Sequence, residues 1–142
     1  MSARSRQHAS TQQATVAVVE NDASLLKSLN RLLVVSGYRT ELYASAEQVL
    51  SSIAGSRATC LIVDCELGNC SGPDVVRRIA AAGLSFPVVF MSGCDDSRIC
   101  KLATDVGCAA LLKKPFSADE LLHSIATAVR GARLESTEVP LA

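Results

Sequence analysis

The sequence predicts an α/β protein: a parallel five-stranded sheet with helices on both faces, a three-layer sandwich. Three observations predict it. Five short apolar runs rich in Val, Ile and Leu recur along the chain. Each is followed by a longer segment whose apolar residues return every three or four positions, the period of a helix. Ser, Asp and Gly stand at the boundaries, where helices start and stop.

The elements follow in order. Thr15-Val16-Ala17-Val18-Val19 is a buried strand. Asp22 is the N-cap of a first helix, with Leu25, Leu26, Leu29, Leu32 and Leu33 on one face and Gly37 as its stop. Residues 38–43 form the second strand. Ser45-Ala46-Glu47-Gln48 is a capping box for the second helix, which ends by Gly55. Residues 60–63 are the third strand and deliver Asp64 at its C-terminal end. Ser71-Gly72-Pro73-Asp74 opens the third helix, and Gly83 closes it. Residues 87–91 are the fourth strand; Asp95 or Asp96 caps a fourth helix that runs to about Gly107. Residues 108–112 are the fifth strand. Ser117-Ala118-Asp119-Glu120 is a second capping box, and the last helix turns Leu121, Leu122, Ile125 and Val129 inward before Gly131 ends it. The expected division is a flexible N-terminal tail over residues 1–13, one domain over 14–131 and a C-terminal tail over 132–142.

Composition agrees with a folded, soluble protein. Hydrophobic residues are 49% and charged residues 20% of 142, enough to bury a core. Lys+Arg and Asp+Glu are 14 each, a balance that argues against a dedicated nucleic-acid surface. The apolar runs are too short to span a bilayer, and the polar first 13 residues lack the apolar centre of a signal peptide. The expected location is cytoplasmic. Six cysteines, Cys60, Cys65, Cys70, Cys94, Cys100 and Cys108, include no C-x-x-C pair, and the two histidines are His8 and His123. Most of these cysteines sit in apolar segments, where a free thiol behaves as a small hydrophobe; a redox-sensing thiol is the alternative.

Strict β-α alternation implies right-handed crossovers. In the flavodoxin-like order 2-1-3-4-5 the ligand crevice lies beyond the C-terminal ends of strands 1 and 3, where the winding reverses. The residues there are Glu20-Asn21-Asp22, Asp64, Ser92 and Lys113-Lys114-Pro115. Carboxylates, a hydroxyl and a lysine past the ends of buried strands suit phosphoryl transfer. A carboxylate can be the nucleophile. An oxygen-ligated divalent cation and a lysine can offset the phosphate charge. The bland readings are that Asp64 is a solvated loop residue, that Glu20 favours a helix start, and that Ser92 merely ends a strand.

The pieces Val-Val-Glu-Asn-Asp at 18–22, Leu-Ile-Val-Asp at 61–64, Ser-Gly at 71–72, Phe-Met-Ser-Gly at 90–93 and Lys-Lys-Pro-Phe at 113–116 stand in one order at strand ends. Together they resemble the receiver domains of two-component response regulators (the CheY-like superfamily). The resemblance covers roughly residues 14–130. Ser-Ala-Glu at 45–47 and Lys-Pro-Phe at 114–116 look most like receivers of the nitrogen-fixation regulator type.

The resemblance implies that Asp64 is the phosphoacceptor, with Ser92 and Lys114 as its catalytic neighbours. It implies that Glu20, Asn21, Asp64 and the backbone carbonyl of Glu66 hold Mg²⁺. It also implies a cis Lys114–Pro115 peptide. Such a domain is a switch rather than an enzyme with a separate substrate, catalysing only its own phosphorylation and dephosphorylation. Its partners would be a sensor histidine kinase or phosphotransfer protein upstream, and a downstream protein target or a missing output domain. Neither direct nucleic-acid binding nor membrane contact is expected of this chain. Removing Lys114 is expected to impair switching more than folding.

Four positions depart from the family pattern. Glu20 is a methylene longer than the usual Asp. Asn21 takes the place of the second acid of the metal-binding pair. Gly68 stands where proline is common. Leu111 replaces the aromatic ring that usually reports phosphorylation. Asn21 and Leu111 leave a second reading open: a pseudo-receiver that binds proteins without phosphotransfer. A flavin-binding reading is weak, because the first loop has no phosphate-cradling Ser/Thr/Gly run and the chain has no Trp.

Overall fold

A computed structural model of the chain describes residues 14–93 and 96–138. The expected N-terminal tail over 1–13, residues 139–142 of the expected C-terminal tail, and Cys94 and Asp95 lie outside the described residues. The elements run β1 (Thr15–Val19), α1 (Ala23–Val35), β2 (Arg39–Tyr43), α2 (Ala46–Ser52) with a 3₁₀ turn (Ile53–Gly55), β3 (Cys60–Asp64), α3 (Gly72–Ala81), β4 (Val88–Ser92), α4 (Ser97–Asp105), β5 (Ala110–Lys113) and α5 (Ala118–Glu138). The sheet order is β2-β1-β3-β4-β5, and every pair is parallel, as the sequence predicts.

Register brings the strand ends to one level. Val19 pairs with Val63, Asp64 with Met91, and Ser92 with Lys113. Backbone bonds carry the ladder past the strands: Cys65 N–H donates to Met91 O at 2.8 Å and Lys114 N–H to Ser92 O at 2.8 Å. Glu20, Asp64, Ser92 and Lys114 therefore leave the sheet along one edge.

The central strands are buried throughout and apolar between their polar end residues, because both faces are covered. Ala17, Val19, Leu61, Val63, Val88 and Phe90 face the layer of α2, α3 and α4, with Val49, Val75, Ile79 and Ala103. Val16, Val18, Ile62, Val89 and Met91 face the layer of α1 and α5, with Leu29, Leu33, Leu121 and Ile125. A fully buried side chain such as Phe90 or Ile125 contributes about 1.5–3 kcal/mol relative to an exposed one.

The caps are satisfied largely as expected. Asp22 accepts the N–H groups of Ser24 and Leu25 at 2.9 and 3.1 Å. Ser117 and Glu120 form a reciprocal box, each accepting the other's N–H at 3.0 Å. In the box at α2, Ser45 accepts the Gln48 N–H, but Gln48 reaches one residue further back, to Ala44 N–H at 2.7 Å. Asp96 caps α4 by accepting the Arg98 N–H.

β3 takes in Asp64 and β4 is shifted by one residue, to Val88–Ser92. Three further boundaries differ from expectation. Tyr38 is not in β2, because its N–H closes α1 on Leu33 O at 3.0 Å. β5 is displaced to Ala110–Lys113, and Cys108 packs against the α2–α4 layer instead. The last helix does not stop at Gly131 but continues to Glu138. Gly37, Gly83 and Gly107 end helices with positive φ, whereas Gly131 has no positive φ. A glycine in helical conformation costs about 1 kcal/mol relative to Ala but is not itself a stop, and the good helix formers after it carry the helix on.

Candidate functional site

The crevice past β1, β3, β4 and β5 collects the predicted residues. Glu20 follows β1 and is fully buried, while Asp64 and Ser92 are each 3% exposed. Buried carboxylates are costly unless charge and hydrogen bonds offset them, and both are satisfied here. Lys114 Nζ donates to Asp64 Oδ2 at 3.0 Å and to Glu20 Oε1 at 3.2 Å. Asp64 Oδ1 accepts the Glu66 N–H at 3.0 Å, and Glu20 Oε2 accepts the Asp22 N–H at 3.0 Å. One oxygen of each carboxylate is thus fixed by backbone and the other by a single ammonium.

These contacts set the electrostatics. Burial raises the Glu20 carboxyl above its ordinary value; the Asp22 N–H opposes that, and the adjacent Asp64 adds to it. Burial alone would lower Lys114, but Asp64 and Glu20 outweigh it and hold the ammonium above its ordinary range. Lys114 thus stays charged at neutral pH. Cys65, next in sequence to Asp64, is pushed up to about 12 by burial first and then by the carboxylate beside it. Cys60 is likewise pushed up to about 12 by burial. At such values both thiols are poor nucleophiles, in accord with packing rather than redox chemistry. All the cysteines among the described residues are free. His123 is exposed on α5.

The turn from β3 into α3 positions Asp64. Glu66 bridges Ser71, and Leu67 N–H donates to Cys70 O at 3.1 Å. Gly68, at φ +85°, turns the chain. Asn21 is exposed in the facing loop; a Cβ on Gly68 would lie 3.7 Å from Asn21 Nδ2. Lys114–Pro115 is cis.

Sequence reasoning missed two features. Gly72 N–H donates to Cys65 O at 2.9 Å, and a Cβ on Gly72 would lie 2.3 Å from Asp64 O and 3.0 Å from Asp64 C. Gly72 is therefore the residue that lets α3 start directly against the Asp64 peptide; in the sequence, Ser-Gly at 71–72 reads as a helix start and as one piece of the family resemblance, with no role for the glycine. The second is the Glu66 side chain, whose Oε1 accepts the Gly93 N–H at 3.3 Å. Nothing in the spacing of the sequence signals that contact.

The donor set fits Mg²⁺. Among the described residues no three His, Cys, Asp or Glu side chains form a metal-holding group. Mg²⁺ does not need such a cage, since it keeps waters and takes one or two carboxylates plus phosphate oxygens. Glu20 and Asp64 supply two hard oxygen donors, both buried and bridged by the Lys114 ammonium.

A family model described as a response regulator receiver domain matches residues 16–126. Among curated proteins, the chain is 31% identical over 135 residues to response regulator protein TmoT of Ectopseudomonas mendocina, covering 95% of this chain and 61% of that protein. It is 30% identical over 122 residues to the transcriptional regulatory protein FixJ of Bradyrhizobium diazoefficiens, covering 86% and 60%. The chain thus spans about three fifths of the length of these relatives. Among solved structures, full-length FixJ from B. japonicum superposes with TM-score 0.83 at 28% identity, covering 90% of this chain and 63% of that one. A CheY-like receiver domain protein from Methanospirillum hungatei JF-1 gives TM-score 0.81 at 20% identity, covering 86% and 98%, a likeness of fold alone.

Proposed function

The chain belongs to the response regulator receiver domain family, the receiving side of two-component signalling, and on that premise we propose that Asp64 accepts a phosphoryl group from a phosphohistidine. The observation that carries this is the lysine bridge: one ammonium held between two buried carboxylates at the switch-point edge of the sheet. An oxygen of Asp64 attacks phosphorus, the P–O bond forms, and the P–N bond breaks with its electron pair leaving on the histidine. Backbone holds Oδ1 in place, and Lys114 Nζ can pass from Oδ2 to a phosphoryl oxygen. Ser92, buried beside it, supplies a hydroxyl for another. Glu20, Asp64, the amide oxygen of Asn21 and the Glu66 carbonyl would hold Mg²⁺, which when bound offsets the negative charge gathered there.

The phosphodonor would be a sensor histidine kinase or a phosphotransfer protein, and the readout a downstream protein or an output domain. The domain would turn over no separate substrate, catalysing only its own phosphorylation and dephosphorylation. The proposed site of action is the cytoplasm, where the phosphodonor would meet the domain; separately, no helix among the described residues is long and apolar enough to cross a membrane.

Intact mass after treatment with acetyl phosphate or phosphoramidate and Mg²⁺ tests the proposal. Wild type gains one phosphoryl mass and Asp64→Asn gains none. A wild-type mass unchanged with these donors and with phosphorylated kinases would refute it. Asn21→Asp adds a charged oxygen beside the site. It should tighten Mg²⁺ binding roughly three- to tenfold, since ligand charge sets affinity. It should also lower the melting temperature of the metal-free protein, because like charges are brought together. Unaltered Mg²⁺ affinity, by calorimetric titration, would remove Asn21 from the metal site.

A further inference from the structure

Glu66 carries an anion of the chain's own to the edge of the acceptor crevice. Its backbone N–H holds Asp64 Oδ1 at 3.0 Å while its side-chain Oε1 accepts the Gly93 N–H at 3.3 Å. Gly93 lies against the lysine: a Cβ built on it would meet Lys114 Cδ at 3.7 Å and Glu66 Oε1 at 3.8 Å. Lys114 Nζ is itself on Asp64. The Gly93 amide is thus an anion donor bordering the place where a group on Asp64 would sit, and a carboxylate already uses it. At 3.3 Å the bond is longer than the usual N–H···O distance, and Glu66 is exposed, so its side chain is free to swing out.

We propose that Glu66 is an internal competitor of the phosphoryl group: its carboxylate occupies the Gly93 amide in the resting protein and must leave it for the bound anion. This rests on the phosphoacceptor reading of Asp64. The incoming group carries negative charge, and so does Glu66, so charge repulsion and competition for one donor act in the same direction. A carboxylate that only tied two loops together would act in the opposite direction, since cutting the tie would loosen the crevice and weaken anion binding.

That difference in sign makes the test. Beryllofluoride, with Mg²⁺, is titrated into wild type, Glu66→Gln and Glu66→Ala, and binding is followed by the Gly93 amide resonance and by intrinsic heat. Losing a charge-assisted hydrogen bond on the competing side should raise affinity roughly three- to tenfold in Glu66→Ala. Glu66→Gln, which keeps the acceptor without the charge, should fall between. Before any anion is added, the Gly93 amide resonance of metal-free Glu66→Ala should already differ from wild type. Equal or weaker binding in Glu66→Ala, or a Gly93 resonance indifferent to the change, overturns the competition. If none of the three proteins binds beryllofluoride and wild type gains no phosphoryl mass, it is the phosphoacceptor reading that falls, and the competition falls with it.

Discussion

Lys114→Ala should destabilise the metal-free protein by about 2 kcal/mol at neutral pH, and by less in acid. From the sequence, this change is expected to impair switching more than folding. The structure adds a source of folding cost, because Lys114 is the ammonium between Glu20 and Asp64, whose side chains are 0% and 4% exposed. Removing one partner of a buried ion pair costs about 3–5 kcal/mol, and the cost is reduced here because the lysine is about a quarter exposed and Glu20, raised by burial, can take up a proton. The pH dependence follows from Glu20, whose carboxyl is raised by burial and by Asp64. A group raised on folding gives stability that is fully present below its unfolded pKa and is lost as pH rises through the folded one. Without Lys114 the folded value rises further, so the loss extends to higher pH. Melting temperatures of wild type and variant should therefore converge near about pH 4 and separate toward about pH 7. A constant gap across that range would show that the lysine acts through packing of its aliphatic stem.

Gly72→Ala should cost about 2–3 kcal/mol, lowering the melting temperature by on the order of 10 °C. The added methyl would meet Asp64 O at 2.3 Å and Asp64 C at 3.0 Å, both backbone atoms that cannot swing aside. Relief requires moving either the start of α3 or the peptide that carries Asp64. The variant should accordingly lose phosphoryl uptake even at temperatures where circular dichroism shows it folded. Folding and uptake both equal to wild type would mean that the turn between Asp64 and Gly72 yields without effect.

What the sequence made legible depended on how local the cause was. β1 and the capped helix starts are set by short runs and by one side chain acting on the next turn, so they could be read directly. Helix ends were harder, because a glycine stops a helix only when the chain beyond it turns away. Gly37 and Gly131 are the same residue in two contexts. Asp64, Lys114 and Glu20 are legible in the sequence because each lies just past a strand of the expected sheet. Their energetics were not, since Glu20 and Lys114 are 94 residues apart and their contact exists only in the folded sheet. The Glu66–Gly93 contact spans 27 residues between two loops and leaves no periodic trace.

The two-sided core has a consequence for how this sequence can diverge. Adjacent strand residues belong to different layers: Ala17 and Val18, Leu61 and Ile62, Phe90 and Met91 never share a set of helix neighbours. Substitutions within one layer couple through shared contacts, whereas distant ones add nearly independently. Drift in the α1–α5 layer is therefore compensated there and leaves α2–α4 largely untouched, so covariation among relatives should resolve into two blocks interleaved along every strand. At the strand ends Lys114 pairs with both Glu20 and Asp64, so these three positions should vary together whichever layer drifts.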